Sequence, residues 1–256
     1  MLTIGYIGSG AMVEALVNGW QGNTAIAQIG FAEAKDQPDG LEHRASVLEV
    51  WQDADMVILA ENAKTLTDLA PQTQMAASVD PSVIVVSINE ELMLAQLHDL
   101  ISSEVTIARA VPNVNVASHA GYIGLAFDEQ IDAEIKGAIA MLFDELGRAD
   151  EYPEDQLAVV SVLGTAGPAL VANLVDALAH TAVANQVNVE HAVGMAEQIL
   201  AGTGTHLEQA QISPNTLVKQ ATSDNSVAQT ALEYFDSEAL MAGLQAEIAA
   251  IQQEND

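Results

Sequence analysis

The chain has 256 residues, 36 of them acidic against 7 basic, for a formal charge of −29 with histidine neutral. So large an acidic excess argues against bare nucleic acid or an anionic membrane surface as a partner, because both are held by clustered Lys and Arg. No cysteine occurs, which removes disulfide frameworks and thiolate chemistry. The length suffices for two modest domains or one large one. No basic leader with a small-residue cleavage site opens the chain, and no uninterrupted apolar stretch reads as long enough to span a bilayer; a soluble, cytoplasmic protein is expected.

Taken in order, the first half alternates short β-rich runs with stretches of helical periodicity. Leu2 to Ile7, Ala27 to Ala32, Met56 to Ala60, Val83 to Ile88 and Thr106 to Ala110 read as strands. Met12 to Trp20, Leu41 to Asp53, Thr65 to Met75 and Leu92 to Ile101 carry apolar residues three and four apart, as helices on one side of a sheet do. The alternation predicts βαβ units and a parallel sheet. Gly121 to Phe127 adds a strand, followed by a helix from about Asp132 to Leu146 that Gly147 stops. Beyond Tyr152 and Pro153 the β-rich runs end, and Gln156 to Gln253 is Ala-rich and helical. Ser213 and Pro214 read as a cap and first helical position, Ser237 as the cap of the last helix. The fold class expected is α/β: an N-terminal Rossmann-like doubly wound sheet over 1–152, then an all-helical dimerisation and substrate domain over 153–256. Gly167 to Ala184 is apolar over most of its circumference and asks for a partner, which a homodimer through the helical half supplies.

The run Gly8-Ser9-Gly10 falls between the first strand and the first helix. A Gly-x-Gly turn there lets backbone approach a pyrophosphate while the helix offers free N–H groups and a positive dipole end. A tight turn without a ligand is the other reading, and Val13 at the third fingerprint position, normally Gly or Ala, departs from the pattern. Glu33 sits about where an acid receives the adenosine ribose hydroxyls. A carboxylate about 4 Å from a 2′-phosphate charge costs about 4 kcal/mol at an effective dielectric near 20. With Lys35 the one nearby cation, NADH is favoured over NADPH. Glu33 as a solvated loop acid is the alternative.

Several further stretches, in order, resemble the pyrroline-5-carboxylate reductase family. IGYIGSGAM resembles the family's first strand and glycine turn, ADMVILA at 54–60 its third strand, and VVSINEEL at 85–92 its fourth. RAVPNVNVASHAGYIGL, from Arg109, is similar to its Arg-x-Met-Pro-Asn segment. LGTAGPALVANLVDALAHTAV, from Leu163, is similar to its Gly-Ser-Gly-Pro-Ala helix. The resemblance implies NAD(P)H-dependent reduction of a cyclic imino acid to proline, in a homodimer or higher homo-oligomer. It carries dinucleotide contacts to Gly8, Ser9, Gly10, Ala11, Met12, Glu33, Ala60, Asn62 and Asn113. Substrate contacts go to Gly164, Thr165, Gly167, Thr222, Ser223 and Asn225; no residue is singled out as catalytic. Independently of the family, Pro112 fixes the backbone past a strand end where open sheets place ligands, with Asn113 offering an amide; Pro-Asn is also ordinary turn chemistry. Gly164, Gly167 and Pro168 read as a helix start whose N–H groups suit a carboxylate, or as a close-packing surface.

The departures from the family cluster near its chemistry. Ala11 replaces an Asn, Glu61-Asn62-Ala63 replaces Val-Lys-Pro, and Asn89-Glu90 replaces Ala-Gly. The substrate loop, close to Thr-Ser-Pro-Gly-Gly-Thr-Thr in the family, is here Thr222-Ser223-Asp224-Asn225-Ser226-Val227-Ala228. Ala228 has no proton to give where the family has a hydroxyl, and Asp224 opposes a carboxylate substrate. The histidines, His43, His98, His119, His180, His191 and His206, have no short metal-ligand spacing, so no metal site is expected. Two readings follow: a C=N reductase, or a degenerate relative that keeps the fold and dimer as a non-catalytic binding or regulatory protein.

Overall fold

In this computed structural model, residues 1–32, 38–128 and 130–254 are described, with side chains as far as 252. β1 (Leu2–Ile7) pairs in parallel with β2 (Ile26–Phe31) on one side and β4 (Met56–Leu59) on the other. β3 (Glu42–His43) lies outside β2; β5 (Ile84–Ser87) and β6 (Ile107–Pro112) continue in parallel beyond β4. β7 (Gly121–Phe127) and β8 (Gly147–Glu151) complete an order of β3-β2-β1-β4-β5-β6-β7-β8 among the described residues. Strand β4, Met-Val-Ile-Leu, is buried throughout, because a central parallel strand has both faces covered.

The alternation of side chains across the sheet divides the core. One face gathers Ile7, Val57, Leu59, Val85 and Ile107 with Trp51 of α2 (Val47–Asp53) and Leu66 of α3 (Ala63–Val79). The other gathers Ile4, Tyr6, Ile58 and Val86 with Trp20 of α1 (Ala11–Trp20) and Phe143 of α5 (Ala133–Asp144). Trp20 and Phe143 meet edge to face with ring centroids 5.5 Å apart, a favoured aromatic geometry.

Four sequence expectations are corrected here. Leu41 to Asp53 is not one helix: β3 comes first, and α2 starts only after Ser46, whose Oγ accepts the Glu49 N–H at 3.2 Å while Glu49 Oε2 accepts the Ala45 N–H at 2.9 Å. This reciprocal box fixes the helix start more firmly than the apolar period extends it. The sheet is not wholly parallel, since β7 runs antiparallel to β6. The 113–120 connection, mostly a 3-10 turn at Val114–Ser118, is too short for a crossover. α5 ends at Asp144 and is followed by β8, whose sequence Gly-Arg-Ala-Asp-Glu carries no apolar signal because it is an edge strand. Gly147 opens that strand at φ +147, and a Cβ there would stand 2.1 Å from the Gly121 carbonyl oxygen, so no other residue fits. Finally, the cap of the last helix is Asp236, whose Oδ1 accepts the Ala239 N–H at 2.9 Å, and not Ser237.

The chain divides into two compact units, 1–165 with 247–256, and 166–246. α4 (Leu94–Leu100) belongs to the first. α6 (Leu157–Ala184) begins in the first and continues into the second, where α7 (Val189–Ala210), α8 (Pro214–Ala221) and α9 (Val227–Leu232) follow; α10 (Ser237–Glu254) returns to the first. Ser213 caps α8 with Pro214 in its first turn, as expected. α6 overturns two expectations. Gly164, Gly167 and Pro168 lie inside it rather than at a helix start, so they present no row of free N–H groups. Proline there removes a single backbone bond, to the Gly164 carbonyl, without ending the helix. With the turn that precedes it, α6 forms a helical stretch over Glu154–Ala184 that holds an 18-residue window of mean hydropathy 1.8, long and apolar enough by length and composition alone to cross a membrane, where no such stretch was expected.

Candidate functional site

The carboxyl ends of β1, β4, β5 and β6 lie side by side, and the strand order reverses at β1, the point where open α/β sheets leave a crevice. Gly8 leaves β1 at φ +123, its N–H donating to the Phe31 carbonyl at 2.8 Å. A Cβ on Gly8 would stand 2.9 Å from the carbonyl carbon of Ala60 and 3.0 Å from Cγ of Glu61. The turn is thus pressed against the end of β4, which only glycine permits.

Gly10 is different. It has φ +118 and precedes α1 as its N-cap, with no side-chain cap, and a Cβ there would meet nothing within 4 Å. This is a backbone cradle that opens outward at a helix N-terminus, the environment an anionic diphosphate fits. Val13 is 1% exposed and packed in the core cluster that holds Tyr6 and Leu16, so the third fingerprint position here accommodates a β-branched side chain.

The neighbouring strand ends are tied to one another. The Ala60 N–H donates to the Ile7 carbonyl at 2.9 Å, and Asn62 Oδ1 caps α3 by accepting the Thr65 N–H at 2.9 Å. Asn89, buried after β5, donates from Nδ2 to the Glu61 carbonyl at 2.9 Å. Its Oδ1 accepts the N–H groups of Glu91 and Leu92, both at 2.8 Å. A Glu91 carboxylate oxygen accepts the Ala63 N–H at 3.1 Å. The substitutions Glu61-Asn62-Ala63 and Asn89-Glu90 are therefore one hydrogen-bonded unit joining two loops. Neither stretch signals this by itself, because the partners are far apart in sequence.

Asn113, 7% exposed, accepts the Asn115 N–H at 3.2 Å and the Tyr122 N–H at 3.3 Å on its Oδ1. Its amide thus performs the turn role. Gly164 lies beside it: a Cβ on Gly164 would be 3.9 Å from the Asn113 Cβ. Gly8, Ala60 and Glu61 thus form one contact group and Asn113 with Gly164 a second, both in the first unit, which also holds Thr165. Glu33 and Lys35 lie outside the described residues.

Gly167, Thr222, Ser223 and Asn225 belong to the second unit. There Thr222 Oγ1 donates to the Val218 carbonyl at 2.8 Å. Asn225 sits at φ 60, its N–H donating to Gln229 Oε1 at 2.8 Å, and Ser226 Oγ accepts the N–H groups of Ser223 at 3.2 Å and Gln229 at 3.1 Å. The polar groups of 222–226 hold the passage from α8 to α9.

Two further clusters escaped sequence reading. On β7 and β8, the Tyr122 hydroxyl donates to Asp150 at 2.7 Å and is hydrogen-bonded to the Tyr152 hydroxyl, while Arg148 pairs with Asp150 at 2.8 Å. Burial first, then the bonds to Tyr152 and Asp150, push the Tyr122 phenol up. The Tyr122 hydroxyl and the Arg148 guanidinium hold the Asp150 carboxyl below its usual range. His98 on α4 pairs with Asp128 through Nε2 and lies 3.0 Å from the Ser102 carbonyl through Nδ1. Burial works to lower its pKa, but the Ser102 carbonyl and the Asp128 carboxylate together raise it. Partners 30 residues apart give no motif.

Residues 154–256 match a family model described as pyrroline-5-carboxylate reductase dimerisation. A pyrroline-5-carboxylate reductase of Methanosarcina acetivorans is 25% identical over 229 residues, 86% of this chain and 84% of that one. That of Vibrio alginolyticus is 24% identical over 249 residues, 93% and 90% of the two chains. Among solved structures, the Plasmodium falciparum pyrroline carboxylate reductase with NADP bound superposes with a TM-score of 0.87 at 18% identity, covering 99% of this chain and 97% of that one. At that identity the likeness is one of fold.

Proposed function

The chain belongs to the pyrroline-5-carboxylate reductase family, and from that premise we propose that it is an NAD(P)H-dependent oxidoreductase reducing the C=N bond of a cyclic imino acid, 1-pyrroline-5-carboxylate by default. The observation that carries the reading is the open cradle at Gly10, set at the switch point of the sheet and at the N-terminus of α1. Gly8, Ser9, Gly10, Ala11 and Met12 would hold the diphosphate, with Ala60, Asn62 and Asn113 bordering the rest of the dinucleotide. A reduced nicotinamide supplies the hydride when bound. The chain's own task is to orient the ring, receive the substrate and exclude water. Glu33 makes NADH the favoured form.

The apolar helices favour a homodimer through the helical domain. Leu170, Leu174 and Leu178 on α6 and Val193, Ile199 and Leu200 on α7 are all more than a third exposed. A second copy covers such faces as a membrane would, and the dimerisation description of the matching family model supports the copy.

The alternative of a non-catalytic binding protein draws on the 222–228 loop, where Thr222 and Ser226 hold helix ends and Asp224 and Ala228 replace groups suited to a carboxylate. Titration of the purified protein with NADH and NADPH, followed by energy transfer from its tryptophans to the nicotinamide, tests the first reading. Micromolar binding with reduction of at least one cyclic imine upholds it. Binding without turnover that returns when Gly-Gly-Thr-Thr is restored at 225–228 locates the defect in the loop. No binding at millimolar dinucleotide overturns the reductase.

A further inference from the structure

The loops at the carboxyl ends of β4 and β5 lie on one side of the switch point at β1. A dinucleotide lying across such a point has one mononucleotide on each side of it. With Glu33, which follows β2 in sequence, taken as the partner of the adenosine ribose, the nicotinamide half falls to the β4 and β5 side. Ala60 and Asn62 stand on the first of these loops, so their placement depends on what holds residues 60–63.

Contacts from two directions hold them. On one side the 60–61 backbone is pressed against Gly8, where an added Cβ would stand 2.9 Å from the Ala60 carbonyl carbon. On the other, Asn89 Nδ2 donates to the Glu61 carbonyl at 2.9 Å, and Glu91 Oε2 accepts the Ala63 N–H at 3.1 Å. Ala63 opens α3, so its N–H has no acceptor within the helix, and the Glu91 carboxylate fixes the chain where the helix leaves it free.

The chemistry of Asn89 matches this task. It is 7% exposed; its N–H donates to Ser87 Oγ at 3.2 Å, and its Oδ1 accepts the Glu91 and Leu92 N–H groups, both at 2.8 Å. That turn needs only a side-chain acceptor, which Asp or Ser also supplies. A short amide accepts from the turn and donates across to Glu61 at once. The turn is anchored from β6 as well: Arg109, 3% exposed and paired with Glu154 at 3.0 Å, donates from Nη2 to the Glu90 carbonyl at 3.2 Å. We propose that Asn89 is a positioning residue for the nicotinamide half of the cofactor, holding residues 60–63 against the glycine turn through the Glu61 carbonyl, with Glu91 as a second tie. The inference rests on the reductase reading and adds to it a residue that acts through the backbone of the neighbouring loop. A loop fixed in advance loses no freedom when the cofactor binds, and affinity gains accordingly.

The test is calorimetric titration of the full chain with whichever of NADH and NADPH the parent binds more tightly, and with ADP, which carries adenosine and diphosphate but no nicotinamide. Asn89→Asp keeps the acceptor for the turn and, ionised at pH 8, sets a carboxylate oxygen against the Glu61 carbonyl. It is expected to weaken the reduced dinucleotide about tenfold and to leave ADP affinity as in the parent. Glu91→Ala, at an exposed position, is expected to weaken the dinucleotide about threefold. The sign discriminates, since removing a negative charge by itself favours an anionic ligand. Adding Ala63→Pro to Glu91→Ala should restore the parental affinity: proline at the first helical position has no N–H to satisfy and fixes the backbone that Glu91 held. Asn62, extended at ψ 162, accepts a following proline. A parent that binds neither reduced dinucleotide overturns the reductase reading and this inference together. A parent that binds, with an Asn89→Asp variant that binds as it does, overturns the inference alone. So does an equal loss of dinucleotide and ADP, which would make Asn89 a support of the fold at large. Should Asn89→Asp fail to fold, the Glu91 and Ala63 variants decide, and a Glu91→Ala loss that proline does not rescue overturns the proposal.

Discussion

The two units differ in how they use apolar residues. The first closes its own core: Trp20, Trp51, Tyr6 and Phe143 are each at most 2% exposed, and both faces of the sheet are covered. In the second, the buried apolar residues among those described are Ala179, Ala192 and Ala196, whereas Leu170, Leu174, Ile199 and Phe235 are 40%, 48%, 49% and 54% exposed. The apolar side chains it buries are thus small, while several of its largest face outward. A sheet with helices on both faces is a complete solution to apolar burial; helices apolar around most of their circumference are complete only with a neighbour. The stability of the first unit should therefore be a property of one chain, that of the second a property of chain concentration.

The largest effect is expected at Trp51, whose ring is fully buried and whose Nε1–H donates to the Asp80 carbonyl at 2.8 Å. Trp51→Ala should lose about 3–5 kcal/mol of unfolding free energy in a urea titration, by leaving a cavity and an unpaired carbonyl. The loss should not vary with protein concentration. Leu174→Glu, on the exposed face of α6, should act the other way, weakening self-association by about 2 kcal/mol or more in sedimentation while leaving the cooperative unfolding of the first unit in place. A Leu174→Glu protein that sediments as its parent does would remove the contrast between the units.

Gly10→Ala should come next. The positive φ makes the substitution unfavourable by about 1–3 kcal/mol, yet a Cβ there meets no protein atom within 4 Å. The stability loss should therefore stay within that range while affinity for NADH and NADPH falls by more than the fold suffers. Equal effects on both would make the turn a structural element without a ligand.

How much of this was legible in the sequence follows from where each signal resides. Strand β1 and the Gly8–Gly10 turn were readable because an apolar run, two glycines and an amphipathic helix lie next to each other. Ser213 and Pro214 were readable for the same reason, since a cap is a local contact. β8 was invisible: its residues are polar because its outer edge faces solvent, and its position is fixed by Gly147 closing on Gly121, a contact between distant residues. The helix start expected at Gly164–Pro168 failed because α6 already runs from Leu157, and a proline inside it removes one helical hydrogen bond, which a long apolar helix survives. In the candidate site the glycines were legible and the ties between them were not. Asn89 reaching the Glu61 carbonyl, or Glu154 meeting Arg109 at a separation of 45 residues, has no signature until the sheet brings the strand ends together.

The smallest effect concerns pH, within the first unit. His98 faces Asp128 through Nε2, with Lys136, Glu151 and Tyr152 lining the same depression, and the fold raises its pKa despite the opposing burial. A raised pKa means that the folded chain holds the proton more tightly than the unfolded chain. The stabilisation is therefore complete below the ordinary histidine value of about 6.5 and is lost as pH rises through the folded value. Because the pair is partly solvated, its worth is limited to about 1 kcal/mol or less. Asp128→Asn removes the charge while keeping a side chain of the same shape, so urea titrations of parent and variant should differ at about pH 5.5 and converge by about pH 8.5. If the difference instead grew with pH, the pair would be acting through a neutral imidazole, and the electrostatic account of this corner of the sheet would fail. A concentration-dependent difference would tie the pair to association, and with it break the division between a self-sufficient first unit and a second that needs its copy.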